Sequence, residues 1–194
     1  MKWIIGIDEV GRGSLAGPVA VAAIAVPCNY SFRDYGILKD SKKMSSVKRE
    51  LWFYRVKNIF KFPYALSFVS HSVIDSINIR NATNRAARRA CNALMNANRI
   101  SSSQCEIITD AGIFLGHHLR HASFIRGDET YDAIKLASIV AKVSRDDAMI
   151  RRNRRYPQYG FDIHKGYGTK MHREALLRHG LSEIHRVSFC SKYI

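Results

Sequence analysis

The sequence is short of acidic residues. It holds 16 Asp and Glu residues against 31 Lys and Arg residues, which gives a formal net charge of +15 and an isoelectric point of about 10.0. A strongly basic chain that also has 46% hydrophobic residues can build a core, and such a chain is typical of proteins that bind a polyanion. Simple solubility is a less favoured explanation of the charge, and charge alone says nothing about the fold or the site, so the hypothesis depends on the positions of particular residues.

Cysteines are also few, and none is placed for a zinc site or a disulfide framework. The four, Cys28, Cys91, Cys105 and Cys190, include no CxxC pair. We therefore expect no zinc, and free thiols of the kind found in a reducing cytoplasm. The longest apolar run, residues 19–27, is too short to cross a bilayer, and the N-terminus lacks the layout of a signal peptide. These absences predict a cytoplasmic protein without a membrane segment.

Apolar periodicity predicts a sheet with helices on its faces. The 194 residues suit one domain with a small appendage. Predicted strands cover residues 3–8, 18–27, 64–70, 105–109 and 121–126. Predicted helices cover residues 45–60, 80–98, 132–150 and 170–179. This order predicts an α/β fold in which residues 1–155 form the main domain and residues 156–194 form a small C-terminal helical lobe.

Four of the scarce acids lie beside predicted strand ends. Asp8 ends the first strand with Glu9 next to it, Asp110 follows the short strand 105–109, and Asp128 precedes the buried helix. Clustered carboxylates repel one another unless a divalent cation neutralises them, and Mg²⁺ or Mn²⁺ prefers oxygen ligands. Two such ions can hydrolyse a phosphodiester. Each acid taken singly could instead be an ordinary turn or cap residue.

Neighbouring residues of a regular strand point to opposite faces of the sheet. Asp8 and Glu9 therefore cannot both bind metal from within a regular strand. We expect Glu9 to lie past the end of the strand or in a β-bulge.

Eight blocks, in order along almost the whole chain, resemble the ribonuclease HII family. The first is GIDEVGRGSLAGPV at residues 6–19, and the last is HRVSF at residues 185–189. The six blocks between them lie at residues 38–44, 77–83, 110–112, 127–128, 138–146 and 164–170. Single motifs of this kind are weak, but eight ordered blocks are a specific signal.

This resemblance implies a function and a set of metal ligands. It implies a ribonuclease H-like mixed β-sheet flanked by helices, and two Mg²⁺ or Mn²⁺ ions held by Asp8, Glu9, Asp110 and Asp128. It also implies an endonuclease that cuts the RNA strand of RNA/DNA hybrids. In duplex DNA the enzyme would cut on the 5′ side of a single ribonucleotide and leave 3′-hydroxyl and 5′-phosphate ends. We expect a monomer whose partners are these nucleic acids.

The resemblance also assigns substrate-binding residues. Gly11-Arg12-Gly13 corresponds to the turn that recognises the ribonucleotide, and its backbone groups can bond the 2′-hydroxyl that distinguishes RNA from DNA. Tyr167 corresponds to the residue that stacks on the deoxyribose 3′ of the ribonucleotide. Lys42 and Lys43 are candidate phosphate ligands, although an isolated pair of lysines is more often solvated.

Some positions depart from the family pattern, and other functions remain open. Ser14 stands where the family usually has Pro, and Ala111 is inserted after the third acid. His164 and His172 are expected in surface or structural roles, because hard cations disfavour imidazole. The rival functions are a basic nucleic-acid-binding module without catalysis and another nuclease on the same sheet, such as a junction resolvase. The first leaves the four acids without a purpose, and the Gly-Arg-Gly turn argues against the second.

Overall fold

A computed structural model describes residues 2–193 of the chain. Its strands are β1 (Trp3–Val10), β2 (Val19–Pro27), β3 (Tyr64–Val69), β4 (Cys105–Asp110) and β5 (Ala122–Phe124). Its α-helices are α1 (Ser46–Tyr54), α2 (His71–Asn98), α3 (Gly127–Thr130), α4 (Asp132–Asn153), α5 (Phe161–His164), α6 (Lys170–His179) and α7 (Val187–Cys190). Every predicted strand and helix has a counterpart, and the predicted α/β class is confirmed.

The five strands form one mixed sheet in the order β3-β2-β1-β4-β5. The pairs β1–β2 and β2–β3 are antiparallel, whereas β1–β4 and β4–β5 are parallel. Parallel pairing of β1 and β4 brings the carboxyl ends of these two strands to the same edge of the sheet. The acids that follow or end these strands therefore meet there.

Helices α2 and α4 cover opposite faces of the sheet. Along β2, Val19, Val21 and Ala23 belong to the core under α2, whereas Ala22 and Ile24 belong to the core under α4. Eight of the nine residues of β2 are buried, as expected for a strand covered on both faces. The strand that bears Asp8 and Glu9, β1, pairs along its whole length with this buried strand.

Helix α2 begins earlier than predicted. The sequence predicted a helix over residues 80–98 after Asn78, but helical geometry starts at His71 and is interrupted at Asn78, where φ is 63° and ψ is 165°. The Asn78 side chain accepts a hydrogen bond from the N–H of Asn81 at 3.0 Å. Asn78 thus caps the second, predicted part of the helix.

The C-terminal segment packs on the loop between β1 and β2. Its core includes Phe161, Leu176 and Cys190, which contact Leu15 and Met149. The predicted division into residues 1–155 and 156–194 stays a prediction, and its end residues Met1 and Ile194 lie outside the described part of the chain. Between residues 2 and 193, we find no helix with the length and apolar character needed to span a membrane.

Candidate metal centre and nucleic-acid site

Three of the four predicted acids gather where β1 and β4 end. The parallel pairing stops at Ile7 and Thr109, one residue before Asp8 and Asp110. One carboxylate oxygen each from Asp8, Glu9 and Asp110 lies within 4.8 Å of the other two. The sheet topology thus produces the acidic cluster that the sequence predicted.

The prediction that Glu9 leaves the strand is wrong. Glu9 lies inside β1 and pairs in regular antiparallel register with Val21. Pairing with β4 has already ended at Ile7, so the edge of β1 beside Glu9 carries no neighbouring strand and leaves room for a long side chain. Alternation of side chains along a strand fixes the direction of Cβ, but it does not limit how far a Glu carboxylate reaches.

The cluster is electrostatically unbalanced without a cation. Burial raises the pKa of the Asp8 carboxyl well above its usual value, and the charge of Glu9 raises it further. Burial and the charge of Asp110 also raise the pKa of Glu9, although Arg12, 3.5 Å away, opposes this shift. Glu9 Oε2 is buried and has no hydrogen-bond partner in residues 2–193. One buried and two partly buried carboxylates, with one unsatisfied oxygen atom, fit a hard divalent cation.

Asp128 lies beside this cluster and not within it. It is on α3, and its Oδ2 atom accepts a hydrogen bond from Lys42 Nζ at 3.0 Å. Burial alone would lower the pKa of Lys42, but the hydrogen bond and charge of Asp128 raise it above its usual value. The N–H of Gly127 donates to Asp110 Oδ1 at 2.9 Å, which ties the start of α3 to the third acid.

The two predicted phosphate ligands both contact acids of α3. Lys42 pairs with Asp128, and Lys43 Nζ lies 3.0 Å from Glu129 Oε1. Their side chains remain more than half exposed. The short 3-10 helix that carries both lysines therefore stands next to the acidic cluster, with Lys42 closer to it.

Two buried serines were not predicted from the sequence. Ser138 of α4 lies near the Asp8 carboxylate, where its hydroxyl opposes the rise in the pKa of Asp8, and the Ser138 and Ser41 hydroxyl oxygens are 2.7 Å apart. Ser41 directly precedes Lys42, so this pair of hydroxyls joins the lysine-bearing 3-10 helix to α4 near the first acid. The available signal was a hydroxyl residue in the mainly apolar first half of a helix predicted to be buried, since a buried hydroxyl requires a partner.

The two glycines of the Gly-Arg-Gly turn differ in the space around their Cα atoms. Gly11 has φ of +90°, and a Cβ atom there would lie 2.1 Å from Arg145 Nε, so the space is already occupied by the protein. A Cβ atom on Gly13 would meet nothing within 4 Å. Only Gly13 thus leaves open space for a ligand to approach the backbone.

Tyr167 lies directly beside this turn. It forms an isolated antiparallel bridge with Ser14, and the N–H of Leu15 donates to Gly166 O at 2.8 Å. The Tyr167 ring centroid is 5.3 Å from the Arg145 guanidinium and 5.5 Å from Lys142 Nζ. The ring is only partly buried and lines a cavity of about 500 Å³.

The segment that carries Tyr167 is held by three buried histidines. His172 Nδ1 bonds Tyr167 O at 3.0 Å, and its Nε2 lies 3.0 Å from Nε2 of His185. His185 Nδ1 accepts the N–H of Ser182 at 2.8 Å. His164 Nε2 bonds a backbone carbonyl while its Nδ1 accepts an N–H. Every ring therefore needs one nitrogen as an acceptor, so all three are neutral. The predicted structural role is confirmed, but the predicted alternative of a surface position is wrong.

These neutral histidines predict a loss of stability in acid. Burial lowers the pKa of both His172 and His185 to about 4, whereas an unfolded histidine titrates near 6.5. Between these values the unfolded state binds more protons, so the free energy of unfolding falls as pH falls, by up to about 1.4 kcal/mol per pH unit for each histidine.

The measurement is urea unfolding at pH 7, 6 and 5, compared with His172→Asn. We expect a shallower dependence on pH in this variant, whatever its absolute stability. His117→Asn, which changes an exposed histidine, should keep the slope of the wild type. Parallel slopes for the wild type and His172→Asn would show that His172 does not stay neutral on folding.

Comparison with known proteins identifies relatives across the whole chain. The family model of ribonuclease HII matches residues 5–192. Ribonuclease HII of Ruminiclostridium cellulolyticum is 38% identical over 193 residues, which cover 100% of this chain and 72% of the relative. The sequence of this chain thus supports its membership of the family independently of the fold.

Solved structures show the same fold at lower identity. Ribonuclease H2 from Pyrococcus horikoshii OT3 superposes with a TM-score of 0.77 and 23% identity, over 98% of this chain and 96% of that chain. Bst-RNase HIII in complex with Mn²⁺ has a TM-score of 0.77 and 19% identity, over 99% of this chain and 69% of that chain. The mixed sheet and its flanking helices are common to all three.

Proposed function

The chain belongs to the ribonuclease HII family and is a ribonuclease H hydrolase that acts on RNA/DNA, and we propose that it also incises duplex DNA on the 5′ side of a single embedded ribonucleotide. The observation that carries the proposal is the position of the Gly11–Gly13 turn. It directly follows the strand that bears Asp8 and Glu9, so a ribose at the turn lies next to the acidic cluster.

The proposed metal ligands are Asp8, Glu9, Asp110 and Asp128. The buried, unpartnered Oε2 atom of Glu9 and the all-oxygen donor set support Mg²⁺ or Mn²⁺, and the Mn²⁺ complex of the related Bst-RNase HIII is consistent with this choice. When bound, two such ions would activate a water molecule and stabilise the leaving 3′ oxygen. Hydrolysis would leave a 3′-hydroxyl and a 5′-phosphate.

The protein's own part is to hold these carboxylates and the substrate in place. The Ser138 hydroxyl, which lies near the Asp8 carboxylate and opposes the rise in its pKa, would help to hold that carboxylate in place. Lys42 stands at Asp128, where its ammonium group can exchange this contact for a substrate phosphate. For Lys43, the salt bridge with the more exposed Glu129 supports a weaker role in phosphate binding.

Recognition of the ribonucleotide is assigned to the turn and to Tyr167. The open space at Gly13 lets a ribose approach the backbone, which can bond its 2′-hydroxyl. Tyr167, bridged to Ser14, would stack on the next deoxyribose. A monomeric state and a cytoplasmic location, which the sequence also predicts, stay predictions.

The test is a DNA duplex that carries one ribonucleotide in a labelled strand. With Mg²⁺ or Mn²⁺ we expect a single cut 5′ of the ribonucleotide, and the fragments should carry a 3′-hydroxyl and a 5′-phosphate. EDTA should stop the reaction, and the all-DNA duplex should stay intact. Cleavage of a long RNA/DNA hybrid without any cut at the single ribonucleotide would reject the proposed incision. Equal cleavage of the all-DNA duplex would favour a nuclease that does not distinguish the sugar.

A further inference from the structure

Two arginines are fully buried beneath the Gly-Arg-Gly turn. Arg145 on α4 and Arg186 at the start of α7 both have no exposed surface. Within residues 2–193, neither forms a salt bridge with a carboxylate. Buried guanidinium groups need acceptors for their N–H groups. Here the acceptors are mainly backbone carbonyls of the loop between β1 and β2, so both charges are used to hold that loop.

Arg186 binds the turn itself. Its Nη2 donates to Gly11 O at 2.7 Å, its Nη1 donates to Arg12 O at 2.8 Å, and its Nε donates to Gly17 O at 3.0 Å. Asp75 of α2 accepts the N–H groups of the first two residues of α7 and so fixes the backbone next to Arg186. One side chain thus holds both carbonyls of the Gly-Arg-Gly turn that precede Gly13.

The position of these carbonyls decides where the following N–H groups point. All peptide bonds of the described residues are trans, and in a trans peptide the C=O of one residue and the N–H of the next point in opposite directions. Because the carbonyls of Gly11 and Arg12 face Arg186, the N–H groups of Arg12 and Gly13 face away from it. Neither N–H has an acceptor within residues 2–193. Two adjacent N–H donors are therefore free on the open side of the turn.

Arg145 supports the same loop from α4. Its Nε donates to Pro18 O at 2.9 Å and its Nη1 donates to Lys165 O at 2.9 Å. Its Nη2 contacts the hydroxyl of Ser14 at 2.9 Å and Ala16 O at 3.3 Å. Ser14, which replaces the proline usual in the family, gives this arginine a buried side-chain acceptor. Lys165 lies two residues before Tyr167, so Arg145 also joins the turn to the segment of Tyr167.

We propose that Arg186, supported by Arg145, is a positioning residue for sugar recognition. By holding the carbonyls of Gly11 and Arg12, it presents the N–H groups of Arg12 and Gly13 as a pair of donors to one ribose 2′-hydroxyl oxygen. The oxygen has two lone pairs and can accept both donors. This inference rests on the proposed function and adds the residue that gives the turn its selectivity for ribose.

The test compares the binding of two uncleaved duplexes in EDTA. One duplex carries a single ribonucleotide and the other is all DNA with the same sequence. We expect the wild type to bind the first about tenfold more tightly, the factor that corresponds to about 1.4 kcal/mol. Arg186→Lys keeps the charge but replaces three separate donor nitrogens with a single ammonium nitrogen, which cannot reproduce the contacts to Gly11 O, Arg12 O and Gly17 O. Its preference should fall to below twofold, while its affinity for the all-DNA duplex changes less than twofold.

The matched control is Arg55→Lys. Arg55 also holds a loop by donating to a backbone carbonyl, Tyr35 O at 2.7 Å, but it lies away from the turn. It should keep the preference of the wild type. A variant that was merely less stable would lose affinity for both duplexes equally, so the ratio separates positioning from a purely structural role.

Other outcomes overturn the inference. An unchanged ratio of the affinities for the two duplexes in folded Arg186→Lys would overturn it. A wild type that cleaves at the ribonucleotide but binds both duplexes equally would also overturn it. In that second case the proposed function would stand, whereas a wild type that never cuts at the ribonucleotide would remove the function itself.

If Arg186→Lys does not fold, amide NMR of the wild type decides the question. The N–H signals of Arg12 and Gly13 should shift more with the ribonucleotide duplex than with the all-DNA duplex. Equal shifts with the two duplexes would refute the proposed donor pair.

Discussion

Asp8→Asn is expected to reduce cleavage of a ribonucleotide-containing duplex at least about a thousandfold and to leave the fold intact. A divalent ion supplies several kcal/mol of charge stabilisation, and 4 kcal/mol corresponds to about three orders of magnitude in rate. Asp8 is 3% exposed, lies within 4.8 Å of two other acids and is the most buried of the three. Asparagine keeps its shape and removes its charge.

The same substitution should stabilise the protein when no metal is present. Burial and the charge of Glu9 both raise the pKa of Asp8, so the ionised form is disfavoured in the folded state. Removing one of the mutually repelling charges should raise the melting temperature in EDTA by about 2–4 °C, the shift that about 1 kcal/mol gives in a chain of this size. Added Mg²⁺ should stabilise the wild type more than the variant.

The control is Asp34→Asn, which changes an exposed acid outside the cluster and should alter neither rate nor melting temperature. Cleavage is measured in the same Mg²⁺ buffer for all three proteins. A pure Asp8→Asn preparation that retained more than about a tenth of wild-type activity would remove Asp8 from the set of essential ligands. Loss of activity with a lowered melting temperature would instead indicate a structural role for this carboxylate.

The arrangement of the site was predictable where it follows from sheet topology. Asp8 and Asp110 end neighbouring parallel strands, and parallel strand ends meet at one edge of a sheet, so their proximity follows once the strands are recognised. Glu9 was misplaced because the alternation of side chains fixes only the direction of Cβ, whereas the long Glu side chain can reach past the open edge of the strand. Beside Glu9 one neighbouring strand has already ended, which no local pattern reveals.

The contacts that complete the site join residues far apart in the chain. Lys42 and Asp128 are 86 residues apart, and Arg186 and Gly11 are 175 residues apart. Arginine is rarely fully buried, so composition and periodicity would place Arg186 on the surface. Its role becomes visible only when the C-terminal segment packs onto the loop after β1. The functional side chains were thus easier to predict than the residues that hold them.

Tyr167→Ala is expected to slow cleavage at a single embedded ribonucleotide. The activation free energy should rise by about 1–3 kcal/mol, the range of a stacking contact. In the structure the ring is only partly buried, and it lines a cavity between α1, α4 and α5. Its neighbours Lys142 and Arg145 lie 5.5 Å and 5.3 Å from the ring centroid, so two cations hold it in place. Tyr167→Phe keeps the flat ring and should stay within about threefold of the wild-type rate.

The ratio of two cleavage rates separates stacking on sugar from simple packing. A long RNA/DNA hybrid offers no deoxyribose 3′ of the cut, so the loss in Tyr167→Ala should be smaller on the hybrid than on the single ribonucleotide. The bridge to Ser14 is formed by the backbone and survives the substitution, which keeps the turn in place. Both rates are measured at a temperature where the variants are folded. A ring that serves only the core would lower both rates in parallel, and an unchanged ratio in Tyr167→Ala would assign Tyr167 to packing alone.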